Sequence, residues 1–175
     1  MQQVILAFIF LIAFSTVSTA QDKRELDLFL KSESISKTAK DYYQGRFKAA
    51  DNPRTYSILD SIRTNNPQTR PFYLYLATQM IKNSDGALSE ELGVRAKEYL
   101  EQHPDWALTF LLGKLSTPSS QMLWAKSIAG EIMIDCEGKE RQCARDWYEK
   151  ALKKANPQYK SALQALYKQV SAQCP

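Results

Sequence analysis

Six of the seven prolines directly follow a polar residue: Asn52-Pro53, Asn66-Pro67, Arg70-Pro71, His103-Pro104, Thr117-Pro118 and Asn156-Pro157. Proline loses nothing in the first helical turn, because the amide hydrogen it lacks has no acceptor there. An Asn or Thr just before it can cap that turn. Each pair therefore predicts a helix start, or the turn just ahead of one. No stretch alternates apolar and polar residues for long enough to build a sheet, and none of the 6 glycines sits in a hairpin pattern. The chain reads as all-α, with about seven to nine stacked antiparallel helices.

Between the prolines the apolar residues keep helical spacing. Tyr56, Ile58, Leu59 and Ile62 fall on one side after Pro53. Phe72 to Ala77, with Met80 and Ile81, is apolar almost all round and belongs in the middle of the fold. Asp85-Gly86 breaks that helix. The next, near 89–102, turns Leu92, Ala96, Tyr99 and Leu100 inward and Glu90, Glu91, Lys97 and Glu101 outward. Trp106 to Leu115 forms a second apolar helix, and helices are expected near 121–135 and 142–155. In the latter, Ala144, Trp147, Tyr148, Ala151, Leu152 and Ala155 recur as an amphipathic helix requires. Tyr159, Ala162, Leu163, Leu166 and Val170 mark the last helix, and 24–50 reads as helix with a break at 32–36.

The punctuation also repeats. Pro53 and Pro104 are 51 residues apart, as are Pro67 and Pro118, and Pro104 and Pro157 are 53 apart. Lys97 to Pro104 aligns with Lys150 to Pro157. A recurring period of this kind marks stacked helical units, since one helix pair cannot bury its apolar face alone. The segment Ala-Arg-Asp-Trp-Tyr-Glu-Lys-Ala-Leu-Lys-Lys-Ala-Asn-Pro, 144–157, resembles the second helix of a tetratricopeptide or SEL1-type repeat. Pro104 to Leu112-Gly113 is similar to the first helix of such a unit, where a Leu-Gly pair permits close helix approach. The resemblance lies mainly in 104–167. It implies a stacked helical array that binds other proteins, and it implies no chemistry.

Val4 to Phe14 is an unbroken apolar run, followed by Ser18-Thr19-Ala20 and the charged stretch Asp22-Lys23-Arg24-Glu25. This is the layout of a signal peptide cleaved after Ala20. The run is shorter than the roughly 20 apolar residues a spanning helix needs. The expected organisation is a signal peptide over 1–20 and one helical domain over 21–175, periplasmic or secreted, with no membrane span after cleavage. In an oxidising compartment Cys136 and Cys143, with six residues between them around a loop, read as a disulfide. Closing so short a loop stabilises by about 2.5 kcal/mol in the chain-entropy model. Cys174 is left over: it is free, links two chains, or displaces one of the other two. The expected state is a monomer or weak dimer.

Charge is uneven. Residues 21–138 carry 15 basic and 16 acidic side chains, whereas 139–175 carry 8 and 3. The basic C-terminal part is suited to an acidic-surfaced partner protein. Its modest excess, in an exported chain, argues against nucleic acid. Arg145, Glu149 and Lys153 share one helix face, where Glu149 is placed to pair with both cations. Such exposed pairs contribute only about 0.3–0.5 kcal/mol each, so the face is available for binding. Arg145, Lys150, Lys153, Lys154 and Lys160 are the candidate partner contacts there. Tyr42 and Tyr43 are a second candidate contact, because adjacent helical residues cannot both face the core.

Little points to catalysis. The only histidine, His103, sits at a helix junction and cannot build a multi-histidine metal site. Glu131, Asp135, Glu137 and Glu140 cluster in sequence, and paired carboxylates can cleave glycosidic bonds. Glycine patterns that cradle phosphate are absent, and no cofactor is expected. The reading is a non-catalytic interaction or scaffold module of the cell envelope. The alternatives are a small inhibitor or immunity-type protein and, after it, an envelope glycan hydrolase.

Overall fold

A computed structural model of the chain describes residues 24–175. The expected signal peptide, 1–20, lies outside the described residues. The chain divides into two compact units at Ile35–Ser36. In the first, residues 24–31 are helical (α1), and a turn follows in which the Ser32 and Ile35 amides donate to the Phe29 and Ser32 carbonyls.

The second unit is a set of packed helices, and among the described residues there is no strand. It runs α2 (Lys37–Tyr43), α3 (Pro53–Asp60), a 3₁₀ turn (Ser61–Arg63), α4 (Arg70–Asn83), α5 (Gly86–Gln102), α6 (Pro104–Leu111), α7 (Pro118–Asp135), α8 (Glu140–Lys154), a second 3₁₀ turn (Pro157–Tyr159) and α9 (Lys160–Ser171). The all-α expectation is met. No described helix is long and apolar enough to cross a membrane.

The prolines do what their position dictates. Pro53, Pro104 and Pro118 each open a helix, and Pro71 stands in the first turn of α4. Asn52 accepts from the Thr55 amide at 3.0 Å, and Thr117 and Ser120 form a reciprocal capping box. Pro53 and Pro104 open helices of 8 residues each, but the other marks depart from the period. Pro67 stays in the turn before α4, and Pro157 opens only a 3₁₀ turn.

Helix α2 ends earlier than the apolar pattern predicts. The expected helix to Ala50 stops at Tyr43 because Gly45 takes φ +72°, a left-handed conformation that glycine adopts without strain. The Gly45 amide then donates to the Tyr42 carbonyl at 2.9 Å and the Arg46 amide to Asp41 at 2.9 Å. This paired arrangement satisfies the last carbonyls and turns the chain away.

Helices α4, α5, α7, α8 and α9 each pack against the next in that order and against the next but one. The core lies between them: Phe72, Leu76, Tyr99, Leu100, Trp124, Ile128 and Leu163 are each fully buried. Helix α4 is central, as its all-round apolar face predicts. Helices α5 and α7 approach each other tightly at Gly93. A Cβ there would stand 3.0 Å from the Ser127 carbonyl oxygen and 3.2 Å from the Glu131 Cβ. Gly113, expected to serve that purpose, faces only the Thr109 and Phe110 carbonyls of its own preceding turn.

Candidate functional site

A concavity of about 560 Å³ lies where α2 and the loop after it meet α4 and the start of α5. The glycine stop at the end of α2 leaves Tyr42 and Tyr43 on the last turn, and the loop after it adds Phe47, Lys48 and Ala49 to the lining. Helix α4 supplies the floor with Tyr75, Gln79 and Asn83, spaced four residues apart, beside Leu76 and Met80. Leu88 of α5 closes the far end.

The walls are held by aromatic contacts. The Tyr43 ring lies 5.6 Å from Phe72 and 6.2 Å from Tyr75, and the Tyr42 ring lies 5.6 Å from Phe47. Phe47 is covered by the Arg54 guanidinium, 3.9 Å from its centroid. Asp41 accepts from Arg46 at 2.7 Å and from Arg54 at 3.2 Å, tying the loop to α2 and α3. Burial pushes the Tyr42 phenol above its ordinary pKa, and the nearby Tyr75 phenol adds to the rise; Tyr75 is itself raised by burial. Both phenols are therefore neutral hydrogen-bonding groups at physiological pH. Among the described residues no carboxylate, histidine or cysteine lines the groove. It can hold a ligand but offers no acid–base pair.

Tyr42 and Tyr43 thus share one groove, both half-buried, although their adjacency predicted that they diverge. At a helix end the second residue is followed by a turn, and the two rings can line one wall. The basic candidates are elsewhere. Arg145, Lys150, Lys153, Lys154 and Lys160 are all exposed on α8 and α9, and none lines the groove. Lys150 lies 3.8 Å from Glu101. Among the described residues Glu149 forms no ion pair, so the expected Arg145–Glu149–Lys153 pairing is not made. Each side chain stays solvated, as the small energy of such pairs allows.

Cys136 and Cys143 are bridged, with Cα atoms 6.4 Å apart, and the bridge joins the end of α7 to the first turn of α8. Cys174 is free and buried, its thiol 3.5 Å from the Val170 carbonyl, so it displaces neither partner.

The carboxylate cluster separates. Glu137 is exposed, and Glu140 accepts from the Gly138 amide at 2.7 Å, which with its own amide draws its carboxyl below the ordinary range. Glu131 is buried between α5 and α7. Lys97, expected to face outward, turns instead along this interface. Its ammonium lies 3.7 Å from Glu131 and hydrogen-bonds Asp135. Burial holds the Glu131 carboxyl above its ordinary range; the Asp135 charge adds to the rise and Lys97 opposes it. Asp135 remains about half exposed. Glu131 and Asp135 thus lie within hydrogen-bonding reach of one another, and Lys97 pairs with both in an ion-paired packing site between α5 and α7.

His103 sits at the α5–α6 junction, stacked on Trp106 with centroids 4.4 Å apart. The Arg70 guanidinium covers Trp106 at 3.4 Å. Burial, then the charges of Arg70, Arg63 and Lys154, hold the imidazole below its ordinary pKa. It is a neutral joint between helices.

Comparison with protein-family profiles, curated proteins and solved structures finds no match to this chain.

Proposed function

We propose that this chain is an exported helical interaction module of the cell envelope, similar in plan to tetratricopeptide or SEL1-type arrays, which holds a segment of a partner protein in the Tyr42–Tyr75 groove. The groove carries the proposal. It is a concavity of about 560 Å³, its walls are fixed by ring contacts and by the Asp41 ion pairs, and its lining sets Tyr42, Tyr75, Gln79 and Lys48 beside Leu76 and Met80. Concave, partly apolar sites with a few placed polar groups are where ligands settle. The Cys136–Cys143 bridge suits an oxidising compartment. Neighbour relations among α4, α5, α7, α8 and α9 are those expected of stacked helix pairs.

The exposed cations of α8 and α9 favour a second reading, in which an acidic enzyme or receptor docks on that face as on an inhibitor. One experiment separates the two. Filling the groove with Ala49→Trp should abolish partner retention on a column of the immobilised protein, while the R145E/K153E/K154E reversal leaves retention in place. Loss with the reversal alone would move the site to α8.

A further inference from the structure

We infer that the groove selects an extended acidic segment, one in which an apolar side chain adjoins Asp or Glu, and that Lys48 is the residue that selects it. This rests on the groove being the binding site. The chain N-terminal to residue 139 is close to neutral overall, yet the segments that build the groove are not. Residues 37–50 and 70–83 together carry six basic side chains and one acid, Asp41. Asp41 is already taken by Arg46 and Arg54. Arg70 is spent on Trp106 at the far end of α4. Lys48 is exposed in the lining itself, and Lys82 lies one turn past Gln79. On the α5 side the acid nearest in sequence is Asp85, the residue that precedes the helix, one turn before Leu88. A positive, low-dielectric concavity of this kind attracts anions.

The uncharged polar groups agree with the charge. Among the described residues neither the Tyr42 nor the Tyr75 hydroxyl makes a hydrogen bond, and the Gln79 side-chain amide makes none. Two phenol O–H groups, an amide N–H and an ammonium are a set of donors awaiting an acceptor. A carboxylate accepts several at once, and hydrogen bonds to a charged acceptor are stronger than neutral ones. Leu76 and Met80 between them give an apolar side chain a place to sit.

Fluorescence anisotropy with the full chain tests this, using a labelled peptide alternating Leu or Phe with Asp and Glu, its Asn/Gln isostere and its Lys counterpart. The acidic peptide should bind about tenfold more tightly than the isostere. Lys48→Gln, on an exposed loop, should remove most of that gap, and Lys48→Glu should favour the Lys peptide. Tyr42→Phe with Tyr75→Phe keeps the rings and should weaken the acidic peptide more than the isostere. Equal binding of acidic peptide and isostere, with equal salt dependence, would overturn the selection while leaving the groove as the site. Displacement by laurate or by a glycan fragment as strongly as by the acidic peptide would overturn it too. If all three peptides bind Ala49→Trp as they bind the native chain, the groove reading itself falls.

Discussion

Trp124 on α7 donates its indole N–H to the Thr78 hydroxyl on α4 at 2.9 Å, with both side chains buried. The Thr78 hydroxyl in turn donates a hydrogen bond to the Leu74 carbonyl at 2.8 Å, so both polar atoms are satisfied within the core. Thr78→Val keeps the shape and strands the indole N–H. The expected cost is about 1–3 kcal/mol, read as a lowered urea midpoint with an unchanged slope.

Tyr99 is the opposite case. Its hydroxyl is buried with no hydrogen-bond partner among the described residues, and burial pushes its pKa well up. Tyr99→Phe removes an unsatisfied group and keeps the ring edge that meets Trp124 at 6.4 Å. Stability should rise by about 1 kcal/mol, some degrees of melting temperature. A fall would mean the hydroxyl has a bound acceptor.

Two helical glycines should respond with opposite signs. Gly93→Ala puts a methyl against the Ser127 carbonyl and Glu131, where α5 and α7 approach tightly. It should destabilise by about 1–3 kcal/mol despite the helix propensity gained. Gly130 on α7 has open space at its Cβ position, so Gly130→Ala should stabilise by up to about 1 kcal/mol. Thermal melts of the two variants give the comparison.

The raised pKa of Glu131 fixes a pH dependence. A carboxyl whose native pKa exceeds its unfolded one favours the native state when protonated. That contribution is fully present below the ordinary value of 4.5 and is lost as pH rises through the native pKa. Glu131→Gln keeps the neutral form throughout. It should therefore gain stability relative to the native chain between about pH 4 and pH 7, measured by urea unfolding at each pH. A difference that does not change with pH would mean Lys97 fully compensates the buried charge.

Helix starts were legible because their causes are local: a proline in the first turn, Asn52 or Thr117 as a cap, and apolar residues at helical spacing after it. The Cys136–Cys143 bridge was legible for the same reason, since one short loop separates the two. What depends on neighbours across the fold was not. Gly93 and Gly113 look alike in sequence, and only the backbone opposite each one distinguishes them. Lys97 sits on the expected polar side of α5, yet α7 brings Glu131 and Asp135 to it. The groove joins three elements, and half of it depends on Gly45 ending α2, a stop that no change in apolar spacing announces.

Photo-crosslinking in the producing cell measures the groove most directly. A benzophenone side chain is placed at Gln79 on the groove floor or at Gln142 on the exposed start of α8. A partner adduct should form from Gln79, be lost with Ala49→Trp, and persist with the R145E/K153E/K154E reversal. Adducts from Gln142 alone, or a Gln79 adduct that survives Ala49→Trp, would contradict binding in the groove.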